Sequence, residues 1–253
     1  IIHYYLLLYT RLWRTDMMND KVHTTAQTNY SNSISPWPEH DIWHEKTFYA
    51  EKKIVECWLS ELAMDESIIL NAGSGGTDYQ ARGTFVHLDI IEKYICQHKK
   101  YLVGSIEKIS SPAQTYDGIV CVGSVLNYAD AQRSIKEFTR VLKPGGFLIL
   151  EFERTESAEF LFTTQYGKDV FLKSYLYGNQ THLLWMYSEK HIRRLIDFYG
   201  FRLKQIKRVH SLSSLLYRFG LSEEKVARYS KFDRLLQPVS FPISHNVLFL
   251  CTK

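Results

Sequence analysis

Ser67-Ile-Ile-Leu-Asn-Ala-Gly73, followed at once by Ser74-Gly75-Gly76, is the stretch on which the fold turns. A short apolar run ending in glycine reads as a buried strand that feeds a tight turn. The same rhythm repeats downstream. Thr84-Phe-Val-His-Leu-Asp89 is a second strand, ending in an acid, and Lys100-Tyr-Leu-Val-Gly104 is a third. Asp117-Gly-Ile-Val-Cys-Val-Gly123 is a fourth, leading through Asn127 into a helix from about Asp130 to Leu142. Lys143-Pro-Gly-Gly146 stops that helix, because proline cannot continue it and glycine accepts left-handed backbone. Phe147 to Glu151 is the fifth strand. Nearly continuous apolar strands alternating with helices predict a doubly wound, Rossmann-like α/β fold with a mostly parallel sheet covered on both faces.

Outward from this unit, Asp41 to Leu62 carries apolar residues at roughly helical spacing and leads into the first strand. Residues 1–36 read as a flexible arm, since 19–36 are rich in Asn, Thr and Ser and end in Pro36-Trp-Pro38. Within that arm, Ile1 to Tyr9 is apolar but too short to span a bilayer, and Arg11 and Arg14 follow it where a secretory signal would have them precede it. Residues 1–16 are therefore expected to be an upstream extension outside the fold, and 37–253 a single domain. Phe152 to Tyr187 reads as an irregular aromatic insertion, Ser188 to Tyr199 as a helix capped by Ser188, and Phe201 to Val209 as a sixth strand. Residues 211–240 read as a helical insertion, and His245 to Cys251 as a closing antiparallel strand. The expected seven-stranded order is 3-2-1-4-5-7-6.

Gly73, Gly75 and Gly76 have no Cβ, so their backbone can approach a ligand closely. Asp89, at the end of the second strand, can accept hydrogen bonds from a ribose diol. Alone the glycines describe any tight turn; with Asp89 in place the pair describes a nucleoside site. Only a few residues separate Gly76 from the second strand, so Thr77 to Arg82 can form at most a turn. A dinucleotide fold needs a helix there to hold the pyrophosphate, and its absence favours a ligand without phosphate.

The segments Tyr116 to Tyr128 and Phe138-Thr-Arg-Val-Leu-Lys-Pro-Gly-Gly-Phe147 resemble the fourth-strand to fifth-strand unit of class I S-adenosylmethionine-dependent methyltransferases. The late helix with Gly200-Phe201 is similar to that family as well, so the resemblance covers about residues 65–209, closest to the small-molecule type. It implies S-adenosyl-L-methionine as cofactor. Gly73, Ser74 and Gly75 would lie against its methionine moiety, and Asp89 and Ile90 at the ribose. Ser105, Ile106 and Glu107 would line the adenine pocket, with Val122, Gly123 and Leu126 near the sulfonium. Ser105 stands where many relatives have an acid, which weakens the adenine contact. Methyl transfer needs alignment and dryness more than side-chain chemistry. A hydroxyl or amine acceptor also needs a base, and His44 and Tyr128 are the candidates, His182 a weaker one. A structural histidine at position 44 and a packing tyrosine at 128 are the plainer readings. Residues 152–187 are either an acceptor lid or an accessory layer with its own small core.

The net charge of +4 is spread along the chain, without the basic stripe of a nucleic-acid surface. Cys57, Cys96, Cys121 and Cys251 show no zinc or disulfide spacing, so reduced thiols, no metal and a cytoplasmic location are expected. The expected activity is methyl transfer to O, N or C of a small organic acceptor, with no membrane partner. A protein or RNA acceptor, or a non-catalytic cofactor-binding partner subunit, are the rival expectations.

Overall fold

In the computed structural model the described residues are 2–36, 42–177, 180–209 and 243–253, the side chains of 2–15, 42–44 and 177 excepted. A long helix α1 (Ile2–Asn32) precedes α2 (Ile42–Leu62). Then come β1 (Ile68–Ala72), β2 (Thr84–Asp89), β3 (Tyr101–Val103) and β4 (Tyr116–Cys121). Helix α3 (Ala131–Val141) leads directly into β5 (Leu142–Glu153). The chain continues through β6 (Val170–Tyr177), β7 (Gln180–Tyr187), α4 (Glu189–Phe198), β8 (Arg202–Val209) and β9 (Asn246–Thr252).

The main sheet has the order β3-β2-β1-β4-β5-β9-β8. Since β6 and β7 form a separate pair, this is the expected 3-2-1-4-5-7-6 arrangement. The first five strands are parallel, and β9 runs antiparallel between β5 and β8. Successive residues of the central strands point to opposite faces. Ile69, Val120, Ile149 and Leu248 meet Val55, Trp58 and Leu59 of α2. Leu70, Ile119, Leu150 and Phe249 meet Ile135 and Phe138 of α3 and Ile192 and Ile196 of α4. Asp130 caps α3 by accepting from the Arg133 N–H, and Ser188 caps α4 through the His191 N–H, as the sequence predicts. No helix lies between β1 and β2.

Two expectations are corrected. Residues 19–32 are not a flexible arm but the second half of α1. Asn19, Val22, Ala26 and Asn29 recur every three or four residues and are all buried, forming one helical stripe. The stripe escapes a hydrophobicity reading because half of it is asparagine. Asn29 Nδ2 donates to the Thr181 carbonyl (2.8 Å), and Trp185 Nε1 donates to Asn19 Oδ1 (3.2 Å), so α1 is fastened to β7. Asp16 is ion-paired to Arg133, so contact with the fold reaches back to that residue. The side chains of 1–15, which carry most of the expected extension, lie outside the described residues.

The aromatic segment is not irregular either: β6 and β7 pair over eight residues as an antiparallel hairpin. Phe160, Leu184 and Met186 form its small core, with Tyr128, Phe171 and Tyr175 packed against it. This is an accessory layer, made of strands where helices were expected. The expected helical insertion 211–240 lies outside the described residues. No described helix is long and apolar enough to cross a membrane.

Candidate functional site

At the carboxyl ends of β1, β2 and β4 a cleft opens, about 1040 Å³ out to its mouth. The carboxyl edge is where doubly wound sheets bind ligands.

Gly73 turns the chain out of β1 with φ +69°, and its N–H and that of Ser74 both donate to the Leu88 carbonyl (2.7 and 3.0 Å). A Cβ on Gly73 would sit 2.2 Å from Val125 Cγ1, so backbone conformation and space both demand glycine. Asp89 closes the turn. Its Oδ2 accepts from the Gly75 N–H (2.8 Å) and its Oδ1 from the Ile91 N–H (3.0 Å). Burial pushes the Asp89 pKa up, and these backbone N–H groups pull against it. A carboxylate has about four lone-pair sites, so these bonds leave Asp89, which lines the cleft, with acceptor capacity to spare.

On the β4 side, Gly123 (φ +96°) and Ser124 (φ +56°) bend the chain, and both N–H groups donate to Glu151 Oε2. Asn246 donates to Glu151 Oε1 (2.7 Å). Burial nevertheless raises the Glu151 pKa to about 7.

Of the residues singled out from sequence, Gly73, Ser74, Gly75, Asp89, Ile90, Ser105, Ile106, Val122, Gly123 and Tyr128 line this one cleft. Others do not. Leu126 is fully buried in the sheet core, and its neighbour Val125 takes the lining place. Glu107 faces α1, accepting from Asn19 Nδ2 (3.0 Å), from the Asp130 N–H (2.7 Å) and, at 2.6 Å, lying against His23 Nε2. Burial pushes the Glu107 carboxyl up, but these bonds outweigh it and hold it below the usual range. It anchors the helix over the cleft. The side chain of His44 lies outside the described residues. His182 sits behind Tyr128, with Nδ1 3.3 Å from the tyrosine hydroxyl, and does not itself line the cleft.

Residues 71–150, from β1 to β5, match the family model described as a methyltransferase domain. Over 71 residues the chain is 32% identical to the ubiquinone/menaquinone biosynthesis C-methyltransferase UbiE of Rickettsia akari. These matches show a methyltransferase domain over the stretch from β1 to β5. The UbiE alignment covers 28% of this chain and 29% of that relative's length. Two solved methyltransferase structures share the fold at low identity. One is a putative S-adenosylmethionine-dependent enzyme from Listeria monocytogenes (13% identity, TM-score 0.58, 80% of this chain and 99% of that one). The other is the 1,6-didemethyltoxoflavin-N1-methyltransferase of Burkholderia thailandensis (11%, 0.53, 91% and 88%), solved with its acceptor and S-adenosylhomocysteine.

The cleft has a second wall that sequence reasoning missed. Ala26 and Tyr30 of α1 and Phe48, Glu51 and Lys52 of α2 line it, together with Tyr79. Among the described residues, none from 152–187 does. The hairpin instead backs the wall: the Tyr30 hydroxyl donates to the Tyr128 hydroxyl (3.2 Å), which rests on His182 of β7.

Glu51 is the unusual member. It is 2% exposed, and its Oε1 has no hydrogen-bond partner. Burial pushes its pKa well up, reinforced by the charges of Glu151 and Glu153. Burial likewise raises the pKa of Tyr79 and of Tyr128. The sequence did carry a signal for Glu51. It is a lone acid between Phe48 and Val55 on the buried stripe of α2, and buried acids are rare unless paired.

Proposed function

We propose that the chain transfers the methyl group of S-adenosyl-L-methionine to O, N or C of a small organic acceptor. The observation that carries this is the joining of Gly73, Gly75 and Asp89 into one bonded turn at the lip of a closed-in cleft. The cofactor fits these residues. Gly73, Ser74 and Gly75 line the cleft with small residues, and Asp89 lines it with a carboxylate where a ribose diol needs acceptors. Gly73, Ser74 and Gly75 would hold the methionine moiety, Asp89 and Ile90 the ribose, and Ser105 and Ile106 the adenine. When bound, the cofactor supplies an already activated methyl group.

The protein's own tasks are then to orient the acceptor and keep water out. Phe48, Tyr30, Tyr79 and Tyr128 supply an aromatic wall that suits a planar or apolar acceptor. Glu51 is the one carboxyl in that wall without a partner, and a hydroxyl or amine on the acceptor can satisfy it. Such a group gives its proton to Glu51 as the methyl arrives, once Glu51 is ionised. The small-molecule toxoflavin enzyme shares the fold, and the small net charge of +4, with no basic stripe in the sequence, gives no support to a nucleic-acid acceptor.

The test is calorimetric binding of S-adenosylmethionine and S-adenosylhomocysteine, followed by mass spectrometry of products from a panel of phenolic, quinol and heteroaromatic acceptors. Micromolar binding of both cofactors and a mass gain of one methyl on a panel member are expected. Absence of cofactor binding by folded protein would overturn the reading.

A further inference from the structure

The connection from β1 to β2 raises a question that the cleft does not answer. It carries Thr77 and Tyr79, both in the cleft wall, yet has no helix to stiffen it. It is held by the bonds from Asn71 Nδ2 to the Thr77 carbonyl (2.7 Å), from the Thr77 N–H to the Ser74 carbonyl (2.8 Å) and from the Gln80 N–H to Glu56 (2.8 Å). Between them stands Asp78, its carboxylate facing two imidazoles.

His87 comes from the middle of β2 and His98 from the turn before β3. Asp78 Oδ1 is 3.6 Å from His87 Nε2 and 3.7 Å from His98 Nδ1, and the three donor atoms lie within 4.8 Å of one another. These gaps are too long for hydrogen bonds. They are close to the roughly 3.4 Å between neighbouring donors around a tetrahedral ion bound at about 2.1 Å. We infer that Asp78, His87 and His98 form a site for a divalent transition-metal ion of the zinc type, whose occupancy fixes the connection 77–82 against β2.

Two imidazoles with one carboxylate suit zinc, cobalt or nickel and not calcium or magnesium, which prefer all-oxygen shells. His87 is 3% exposed, and burial together with neighbouring His98 lowers its pKa to about 4. Asp78 is exposed, which leaves the remaining coordination position open to water. The two rings are stacked at 3.6 Å and 12°, so His98, at the surface, must tilt off the stack to aim Nδ1 at the ion. His87 Nδ1 is buried without a partner. Ligating histidines are ordinarily supported there, and loss of such support costs about 10–100-fold in affinity. The site is accordingly one of moderate strength, filled and emptied with the metal supply. The cysteine spacing that argued against zinc did not bear on it, because no cysteine takes part.

The experiment uses the full chain stripped with chelator and titrated with zinc chloride by calorimetry and with cobalt chloride by visible absorption. One ion per chain is expected, with tetrahedral cobalt bands and slower amide exchange over 77–82 in the zinc-bound form. Asp78→Asn and His98→Gln, both at surface positions, should each weaken binding at least tenfold while keeping the circular dichroism of the parent. His87→Gln, in the sheet, is a third variant for use only if it folds. No saturable binding, or equal binding by parent, D78N and H98Q, would overturn the site. Binding abolished by blocking the exposed Cys57 and Cys96 would overturn it as well. Unchanged exchange over 77–82 would overturn the loop-fixing role.

Discussion

The two walls of the cleft are built by opposite means. The wall at the ends of β1, β2 and β4 is shaped at its turns by backbone held by backbone and carboxylate. Gly73, Gly75 and Gly123 take left-handed angles, and Asp89 and Glu151 each bind two main-chain N–H groups. The opposite wall is all side chain. Ala26, Tyr30, Phe48 and Glu51 project from two helices whose own backbone bonds are satisfied internally. A main-chain wall tolerates almost no substitution, because each position is fixed by φ or by space. A side-chain wall can be re-cut residue by residue. One wall is thus suited to an invariant ligand and the other to a variable one.

The comparison breaks most sharply at Gly73. Gly73→Val adds a branched side chain where a single Cβ already collides with Val125, so cofactor binding should fall below detection by calorimetry. Retained binding would show that the main-chain wall is more pliable than its geometry. Asp89→Ala comes next. It removes the acceptors for a ribose diol and also frees the Gly75 and Ile91 N–H groups. A loss of about 1.5–3 kcal/mol, roughly ten- to hundredfold in cofactor affinity, is expected, with the circular dichroism spectrum retained.

On the other wall, Glu51→Gln should leave cofactor affinity within about twofold and lower turnover of a hydroxyl or amine acceptor about 10²-fold, the low end for general-base catalysis. Its pH signature has a definite sign. Because burial raises the Glu51 pKa, activity should climb as pH rises through that value, and E51Q should flatten the climb. Stability should move the other way. A carboxyl with a raised folded pKa weakens the fold as pH rises from about 4.5 through the folded value. E51Q should therefore melt higher than the parent at pH 8 and gain nothing near pH 4. A smaller effect is expected at Asn19→Ala, which removes the bonds to Glu107 and Trp185. About 1–2 kcal/mol of α1 docking should be lost, seen as faster amide exchange over residues 16–32. Unchanged exchange would mean that apolar contact alone holds the helix.

The contrast between the walls also explains what could be read from sequence. Strand apolarity, the Gly73–Gly76 turn and the Lys143-Pro-Gly-Gly146 stop are local signals, and the parallel sheet with its order was legible from them. The cofactor-side candidates fell into one cleft because main-chain walls leave glycines behind as a trace. Leu126 missed by one residue, since the short turn after Gly123 presents Val125 and buries its neighbour. Glu107 missed because its partners Asn19 and His23 lie over 80 residues away, in a helix whose buried stripe reads as polar. The hairpin β6–β7 was read as irregular because aromatic residues crowd both its faces and blur the period of two. His87 passed as ordinary strand content, and only the folded connection brings Asp78 and His98 to it.

The position of β9 bears on how the molecule is made. Residues 246–252 are the last strand in the described order, yet they lie inside the sheet, between β5 and β8. Until they have been synthesised, β5 presents a long apolar edge, Phe147 to Phe152, and β8 has no strand to join. The nascent chain must hold that edge unpaired through roughly a hundred further residues, a waiting period in which sheet edges invite intermolecular pairing. The final pairing is also long-range in sequence, so it closes slowly compared with local contacts. Partner-free folding of residues before 246 is therefore a poor expectation. Shielding of the β5 edge by a chaperone during synthesis would raise yield more than any substitution in the finished core.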